Sequence, residues 1–74
     1  LVVSQFTLLA DVSRGRRPSF FDAAPPAQAE DLFQQFVNLL QDSRLRINTG
    51  CFGQHMIVKI YNDGPVTILL DSKA

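Results

Sequence analysis

The chain has 74 residues, 46% of them hydrophobic, and its seven Lys and Arg side chains balance seven Asp and Glu. This length allows one small domain, and the balanced charge excludes a global attraction to nucleic acid or membranes, so any such binding must be local. The single cysteine, Cys51, excludes an internal disulfide, and without a Cys and His cluster at metal-ligand spacing we expect no metal.

The first ten residues, LVVSQFTLLA, are predicted to form a strand that is buried on both faces, because they are mostly apolar and include β-branched residues. Ser4 and Gln5 place polar groups on opposite faces of this strand. Burying the Gln5 amide without a partner would cost about 1–3 kcal/mol. Two interpretations stay open: a backbone hydrogen bond at the strand end satisfies the amide, or the amide faces a ligand.

Residues 11–26 have no sustained period and are rich in Arg, Pro, Gly and Ser, which is typical of a long loop. The loop carries three arginines followed by two aromatic residues: Arg14, Arg16, Arg17, Phe20 and Phe21. Such a set suits phosphate binding and base stacking. The alternative is a solvated basic loop whose phenylalanines lie in the core. Asp11 and Asp22, which flank the arginines, are expected to pair with this loop rather than to act as a catalytic dyad.

Pro25 and Pro26 are predicted to start an amphipathic helix that ends at Asp42-Ser43-Arg44, since proline is tolerated in a first helical turn. Its apolar residues recur at spacings of three and four: Ala29, Leu32, Phe33, Phe36, Val37, Leu39 and Leu40. A helix of about 15 residues is roughly 22 Å long, enough to cover one face of a sheet. We therefore interpret it as core scaffold.

Three strands are predicted after the helix, over residues 45–49, 55–61 and 66–70, because apolar residues alternate or cluster there. In the middle strand, Met56, Val58 and Ile60 are expected to point inward. Asn62-Asp63-Gly64-Pro65 is a strong turn signal between the last two strands. The order of strand, loop, helix and three strands predicts an α+β fold.

The sequence offers no conventional catalytic machinery. His55 is expected to lie exposed on the polar face of a strand, and Cys51 has no basic neighbour in sequence that would lower its thiol pKa. Neither GxGxxG nor GxxxxGK(S/T) occurs, so nucleotide hydrolysis is not expected. No apolar run approaches the ~20 residues of a membrane span and no signal-peptide pattern is visible, so we expect a cytoplasmic protein.

Five motifs in order resemble the D-aminoacyl-tRNA deacylase (D-tyrosyl-tRNA deacylase) family: Ser4-Gln5-Phe6-Thr7-Leu8, Gly15-Arg16-Arg17-Pro18-Ser19-Phe20, Asp22-Ala23-Ala24-Pro25-Pro26, Gly50-Cys51-Phe52-Gly53 with Met56, and Asn62-Asp63-Gly64-Pro65-Val66-Thr67. The resemblance covers essentially the whole chain and matches the C-terminal half of family members. It implies that residues 1–74 are a single-domain fragment of a mixed β-sheet or barrel-like domain, with the amphipathic helix packed on it.

The resemblance also implies an activity. Such enzymes hydrolyse the ester bond of D-aminoacyl-tRNA, with mischarged glycyl-tRNA as a further candidate substrate, and thereby proofread chirality in translation without a cofactor. By the same resemblance, the 2′-hydroxyl of the terminal ribose assists the attack of water and no protein nucleophile is used. Thr7 is the alternative nucleophile, ranked second because no base adjoins it.

The residues that the resemblance assigns fall into three groups: Gln5, Phe6 and Thr7 as catalytic; Ser4, Phe52, Met56, Asn62, Gly64 and Pro65 as substrate-binding; and Arg14, Arg16 and Arg17 as tRNA-binding. It further implies a homodimer in which a cis Gly64-Pro65 peptide crosses the interface and rejects L side chains. Two alternatives stay open: a non-catalytic half-domain that binds tRNA 3′ ends or partner proteins, and a purely structural dimerising fragment.

Overall fold

A computed structural model describes residues 1–73, so the last residue of the predicted single domain, Ala74, lies outside the described residues. Two helical elements are present: a 3-10 helix, Phe6–Leu9, and an α-helix, α1, Pro26–Gln41. Over residues 1–73 the β-structure consists of two isolated bridges, Val2 with Thr49 and Asp11 with Ser19. The structure therefore shows a helix with little strand, and a sheet or barrel stays a prediction.

The predicted helix is confirmed as α1. Pro25 occupies the N-cap position without a side-chain hydrogen bond, and Asp42 occupies the C-cap position, where its N–H donates to the Leu39 carbonyl oxygen at 3.2 Å. Val37 is its one buried hydrophobic residue, 4% exposed. The wide apolar stripe divides into two rows: Ala29, Phe33, Val37 and Leu40 pack inward to different degrees, whereas Leu32, Phe36 and Leu39 are exposed.

The predicted strand over the first ten residues is wrong. Residues 6–9 form the 3-10 helix instead, and the N–H of Ala10 donates to the Thr7 carbonyl oxygen at 3.1 Å. A strand buried on both faces needs neighbouring strands and covering elements. Here the segment has a single parallel bridge, in which Val2 donates to Asn48 at 2.8 Å and accepts from Gly50 at 3.0 Å. Leu8 and Leu9 are consequently exposed.

The three strands predicted after α1 are also not formed. The segment 45–49 is bridged only at Thr49, and residues 55–61 and 66–70 have no ladder to another described segment. A strand requires paired backbone groups, and an apolar pattern alone does not supply the partner. Met56 is half-buried as expected, but Val58 and Ile60, predicted to point inward, are exposed.

The missing ladders leave the chain expanded. Its radius of gyration is 14.5 Å, against about 11 Å for a compact chain of this length. The packing of α1 that borders the cavity is the contact of Phe33 with Phe52. This contact positions the cavity described next.

Candidate active-site cavity

A cavity of about 1120 Å³ lies against the inner face of α1. Three chain segments supply most of its wall, residues 3–6, 23–26 and 52–56, and α1 adds Ala29 and Phe33. Of the residues predicted to form the site, five are brought together here: Ser4, Gln5, Phe6, Phe52 and Met56. The Ser4-Gln5-Phe6 segment and the segment from Phe52 to Met56 therefore meet at one place.

Two aromatic contacts hold the walls of the cavity. Phe6 and Phe20 pack edge to face with ring centroids 4.8 Å apart, and Phe33 contacts Phe52 at 6.1 Å. Each such pair stabilises packing by about 0.5–1.5 kcal/mol beyond area burial. The first pair joins the 3-10 helix to the segment before α1, and the second joins α1 to the bend at residues 52–54.

Met56 is held in the cavity by the backbone of the preceding bend. The Cys51 N–H donates to the Met56 sulfur at 3.3 Å. A Cβ on Gly50 would lie 2.8 Å from that sulfur and 3.7 Å from Cγ1 of Val3. Because only glycine leaves this space, Gly50 lets the thioether lie flat against the bend while it lines the cavity.

The polar groups of the wall are few. Gln5 is exposed rather than buried, and its side-chain amide makes no hydrogen bond with another residue of the described 1–73 range. The interpretation that a strand-end backbone bond satisfies it is therefore wrong. Ser4 is half-buried beside it. The Gln5 amide also does not cap the 3-10 helix that follows it, because that helix has no side-chain cap.

Sequence reasoning missed part of the wall. His55, correctly expected to be exposed, also lines the cavity together with Gln54, and α1 contributes Phe33 to the wall besides serving as scaffold. The position of both polar residues between Phe52 and Met56 was the available signal. The spacing of Phe33 indicated only that it faces inward, not that a cavity lies there.

Thr7 and the 62–65 turn lie outside this wall. Within the described chain, the residues lining the cavity include neither Thr7 nor Asn62, Gly64 or Pro65. The Gly64-Pro65 peptide bond is cis, as the resemblance implies, and Gly64 has φ +131°, a region that favours glycine. A Cβ at Gly64 would meet only the Val66 nitrogen, at 3.6 Å. The turn is thus exposed and stands apart from the cavity of its own chain.

The segment from Asp11 to Ser19, here called the Arg loop, is closed by its two end residues. Asp11 N–H donates to the Ser19 carbonyl at 2.7 Å, and Ser19 N–H donates back at 2.8 Å. The Asp11 carboxylate accepts from the Ser13 hydroxyl at 2.6 Å and from its N–H at 2.9 Å, so Asp11 bonds to the loop as expected, through Ser13. These bonds, the hydroxyl's first, lower the pKa of Asp11.

Arg14, Arg16 and Arg17 are exposed in the Arg loop and do not line the cavity. Cys51 is a free, exposed thiol. In the part of the chain that the structure covers, no three His, Cys, Asp or Glu side chains are grouped for a metal ion. No helix among residues 1–73 is long and apolar enough to span a bilayer.

A mostly apolar cavity with a few polar groups and no activated nucleophile is typical of a protein that binds and orients a substrate. A family model described as D-Tyr-tRNA(Tyr) deacylase matches residues 1–71, and the chain belongs to that family. The resemblance inferred from the five motifs is thereby confirmed.

Individual relatives agree with this assignment. The chain is 55% identical over 73 residues to a D-aminoacyl-tRNA deacylase of Dehalococcoides mccartyi, covering 99% of this chain and 48% of the relative. It is 58% identical over 72 residues to the Thermotoga petrophila D-aminoacyl-tRNA deacylase, covering 97% and 48%. The Thermosipho africanus protein of that name is 55% identical over 73 residues, covering 99% and 49%. The chain spans about half the length of the curated relatives it matches.

Proposed function

We propose that this chain is part of a hydrolase that cleaves the ester bond of D-aminoacyl-tRNA and releases the D-amino acid and free tRNA. The proposal depends on one observation: the SQF and FGQHM segments meet in one cavity, in a chain whose family match runs over residues 1–71. The substrate class comes from the names of the relatives, which are D-aminoacyl-tRNA deacylases.

In the proposed reaction, water attacks the ester carbonyl, the bond to the ribose 3′-oxygen breaks, and that oxygen takes up a proton. The 2′-hydroxyl of the substrate assists the water, so no protein nucleophile is required. Thr7 lies outside the cavity wall, which favours this route over a Thr7 nucleophile. Mischarged glycyl-tRNA is a further candidate, since glycine has no side chain to be rejected.

Gln5 is the proposed donor to the developing oxyanion. Its exposed amide lines the cavity without an intramolecular partner among the described residues, so its N–H groups are available to the substrate. Donors placed where charge develops are worth about 10²–10³ in rate. Phe6 and Ser4 bound this side, while Phe52 and Met56 would pack against the adenosine and the aminoacyl group.

Chiral selection is proposed to require a second copy of the chain. The exposed 62–65 turn is outside its own cavity, which supports a homodimer in which Gly64-Pro65 enters the partner's cavity. In the partner's cavity, the carbonyl oxygens of Gly64 and Pro65 would approach the α-carbon of the substrate and exclude an L side chain sterically. Asn62 would fix the start of the turn. Arg14, Arg16 and Arg17 are proposed to bind tRNA phosphates.

The test is single-turnover hydrolysis of D-Tyr-tRNA by the wild type, by Gln5→Ala, and by Gln28→Ala, a control that removes an exposed glutamine of α1. We expect Gln5→Ala to lower the rate about 100-fold with little change in substrate binding, because the amide acts on charge that develops in the transition state. Gln28→Ala should match the wild type. Unchanged hydrolysis by Gln5→Ala would exclude the proposed role, and RNA binding without hydrolysis by the wild type would indicate a non-catalytic module.

A further inference from the structure

Two consecutive phenylalanines point to different environments at the rim of the cavity. Phe20 lines the cavity and packs against Phe6, whereas Phe21 is 93% exposed. The two rings diverge at a turn over residues 20–23, which is fixed by two hydrogen bonds. Ala23 N–H donates to the Phe20 carbonyl at 3.0 Å, and Phe21 N–H donates to the Ser19 hydroxyl at 3.4 Å. The turn therefore presents the Phe21 ring to solvent.

Phe21 lies two residues after the Arg loop, whose closing pair ends at Ser19. Exposed apolar side chains are common in this chain and need no explanation one by one, but Phe21 is distinguished by the three exposed arginines that closely precede it. Phe21 is four residue steps after Arg17, which is at most ~14 Å of chain. About four stacked nucleotides cover such a distance at ~3.4 Å each. A phosphate contact and a base contact on one strand are thus within reach of this segment.

The electrostatics favour a phosphate-bearing partner. Arg14, Arg16 and Arg17 are close together in sequence and exposed, and their three positive charges outnumber the one carboxylate of the Arg loop, Asp11, which bonds to Ser13. Along the sequence the three arginines precede Phe21 and the acidic residue Asp22 follows it. The positive charge therefore lies on the side of Phe21 towards the Arg loop. Single-stranded RNA is recognised by this combination of aromatic stacking and Arg contacts to the backbone.

We infer that Phe21 is a stacking platform for the base next to the 3′-terminal nucleotide of the RNA, while Arg16 and Arg17 bind phosphates of the same strand. The inference rests on the proposed function, since it assumes that the terminal aminoacyl-adenosine enters the cavity. Because Phe20 lies in the wall and Phe21 just outside it, a strand that leaves the cavity at this rim passes over the Phe21 ring. The subsite positions substrate and takes no part in bond breaking.

The test measures binding of uncharged tRNA, and of the same tRNA with an abasic residue at the penultimate position, by fluorescence anisotropy. Phe21→Ala should weaken binding of the intact RNA about ten-fold, because base stacking on an aromatic ring is lost. Phe21→Tyr should bind as the wild type does and Phe21→Leu should lose most of the affinity. The matched control is Tyr61→Ala, which removes an aromatic ring that is 91% exposed and outside this rim, and should have no effect.

On the abasic RNA, the wild type and Phe21→Ala should bind equally well. An equal loss on intact and abasic RNA, or a change in oligomeric mass on replacing Phe21, would show that the ring contacts another protein surface and would overturn the inference. Unchanged binding by Phe21→Ala with hydrolysis intact would overturn the subsite alone. A Phe21 effect in a protein that does not hydrolyse the ester would support the subsite and reject the proposed function. Absence of RNA binding by the wild type would refute both.

Discussion

Gly50→Ala should impair substrate use by moving Met56. The added Cβ would lie 2.8 Å from the Met56 sulfur and 3.3 Å from its terminal methyl. Ordinary contact begins near 3.4 Å, so the thioether must shift by roughly 0.6 Å or adopt another rotamer. Methionine is unbranched and flexible, so the expected loss of folding stability is small, about 1 kcal/mol.

The displaced side chain affects the cavity directly. The shift weakens the 3.3 Å hydrogen bond from the Cys51 N–H and moves the thioether into the space proposed for the aminoacyl-adenosine. A misplacement of about 1 Å at a binding site costs up to 10²-fold, so we expect kcat/KM for D-Tyr-tRNA to fall about ten-fold. Steady-state kinetics and thermal denaturation of the same samples separate this effect from unfolding.

The double variant decides whether Met56 is the cause. If the clash with Met56 causes the loss of activity, Gly50→Ala should lower kcat/KM only slightly in a Met56→Ala background, because the sulfur that it displaces is absent there. An equal loss of activity in both backgrounds would refute this reasoning. So would a large fall in melting temperature for Gly50→Ala alone.

Four further variants test the packing and local bonds of the chain. Val37→Ala should lower the free energy of unfolding by about 1.5–3 kcal/mol in urea denaturation, because it removes two buried methyl groups. The control Leu39→Ala should lower it by less than about 0.5 kcal/mol, because that side chain is 72% exposed. Arg44→Gly should raise stability by up to about 1 kcal/mol, measured in the same way, because Arg44 has φ +66° just after α1. Ser13→Ala should raise the pKa of Asp11 towards its ordinary value in an NMR titration, since the Ser13 hydroxyl is the main cause of its lowering. A carboxyl with a lowered folded-state pKa stabilises the fold at pH values above its unfolded-state pKa, and this contribution is lost as the pH falls through the folded-state pKa. Ser13→Ala should therefore reduce the fall in the free energy of unfolding on acidification.

The helix was predictable from the sequence because its determinants are local. Proline at the start and apolar residues three and four apart act within a single segment, and α1 begins and ends within a residue or two of the prediction. Strands depend on partners elsewhere in the chain or beyond it. Val58 and Ile60 have a strand-like pattern but lack a ladder among residues 1–73, so the same pattern yields an exposed, unpaired segment.

The candidate site was predictable to the extent that motifs carry it. Ser4, Gln5 and Phe52 meet in the cavity, although the first two were placed on a strand that does not form. Thr7 lies outside the wall, since the 3-10 helix replaces the alternation that the prediction assumed. Phe33 entered the wall unpredicted, because periodicity identifies an inward face without showing what lies against it.

Chiral ester hydrolysis is tested most directly by comparing the release of tyrosine from D-Tyr-tRNA and from L-Tyr-tRNA by the wild type and by Gly64→Ala. We expect the wild type to hydrolyse the D substrate and to spare the L substrate. Gly64→Ala should lose this discrimination, because an L residue is strained at φ +131° and the turn must move. Equal hydrolysis of both substrates by the wild type, or no hydrolysis of either, would refute the proposed function.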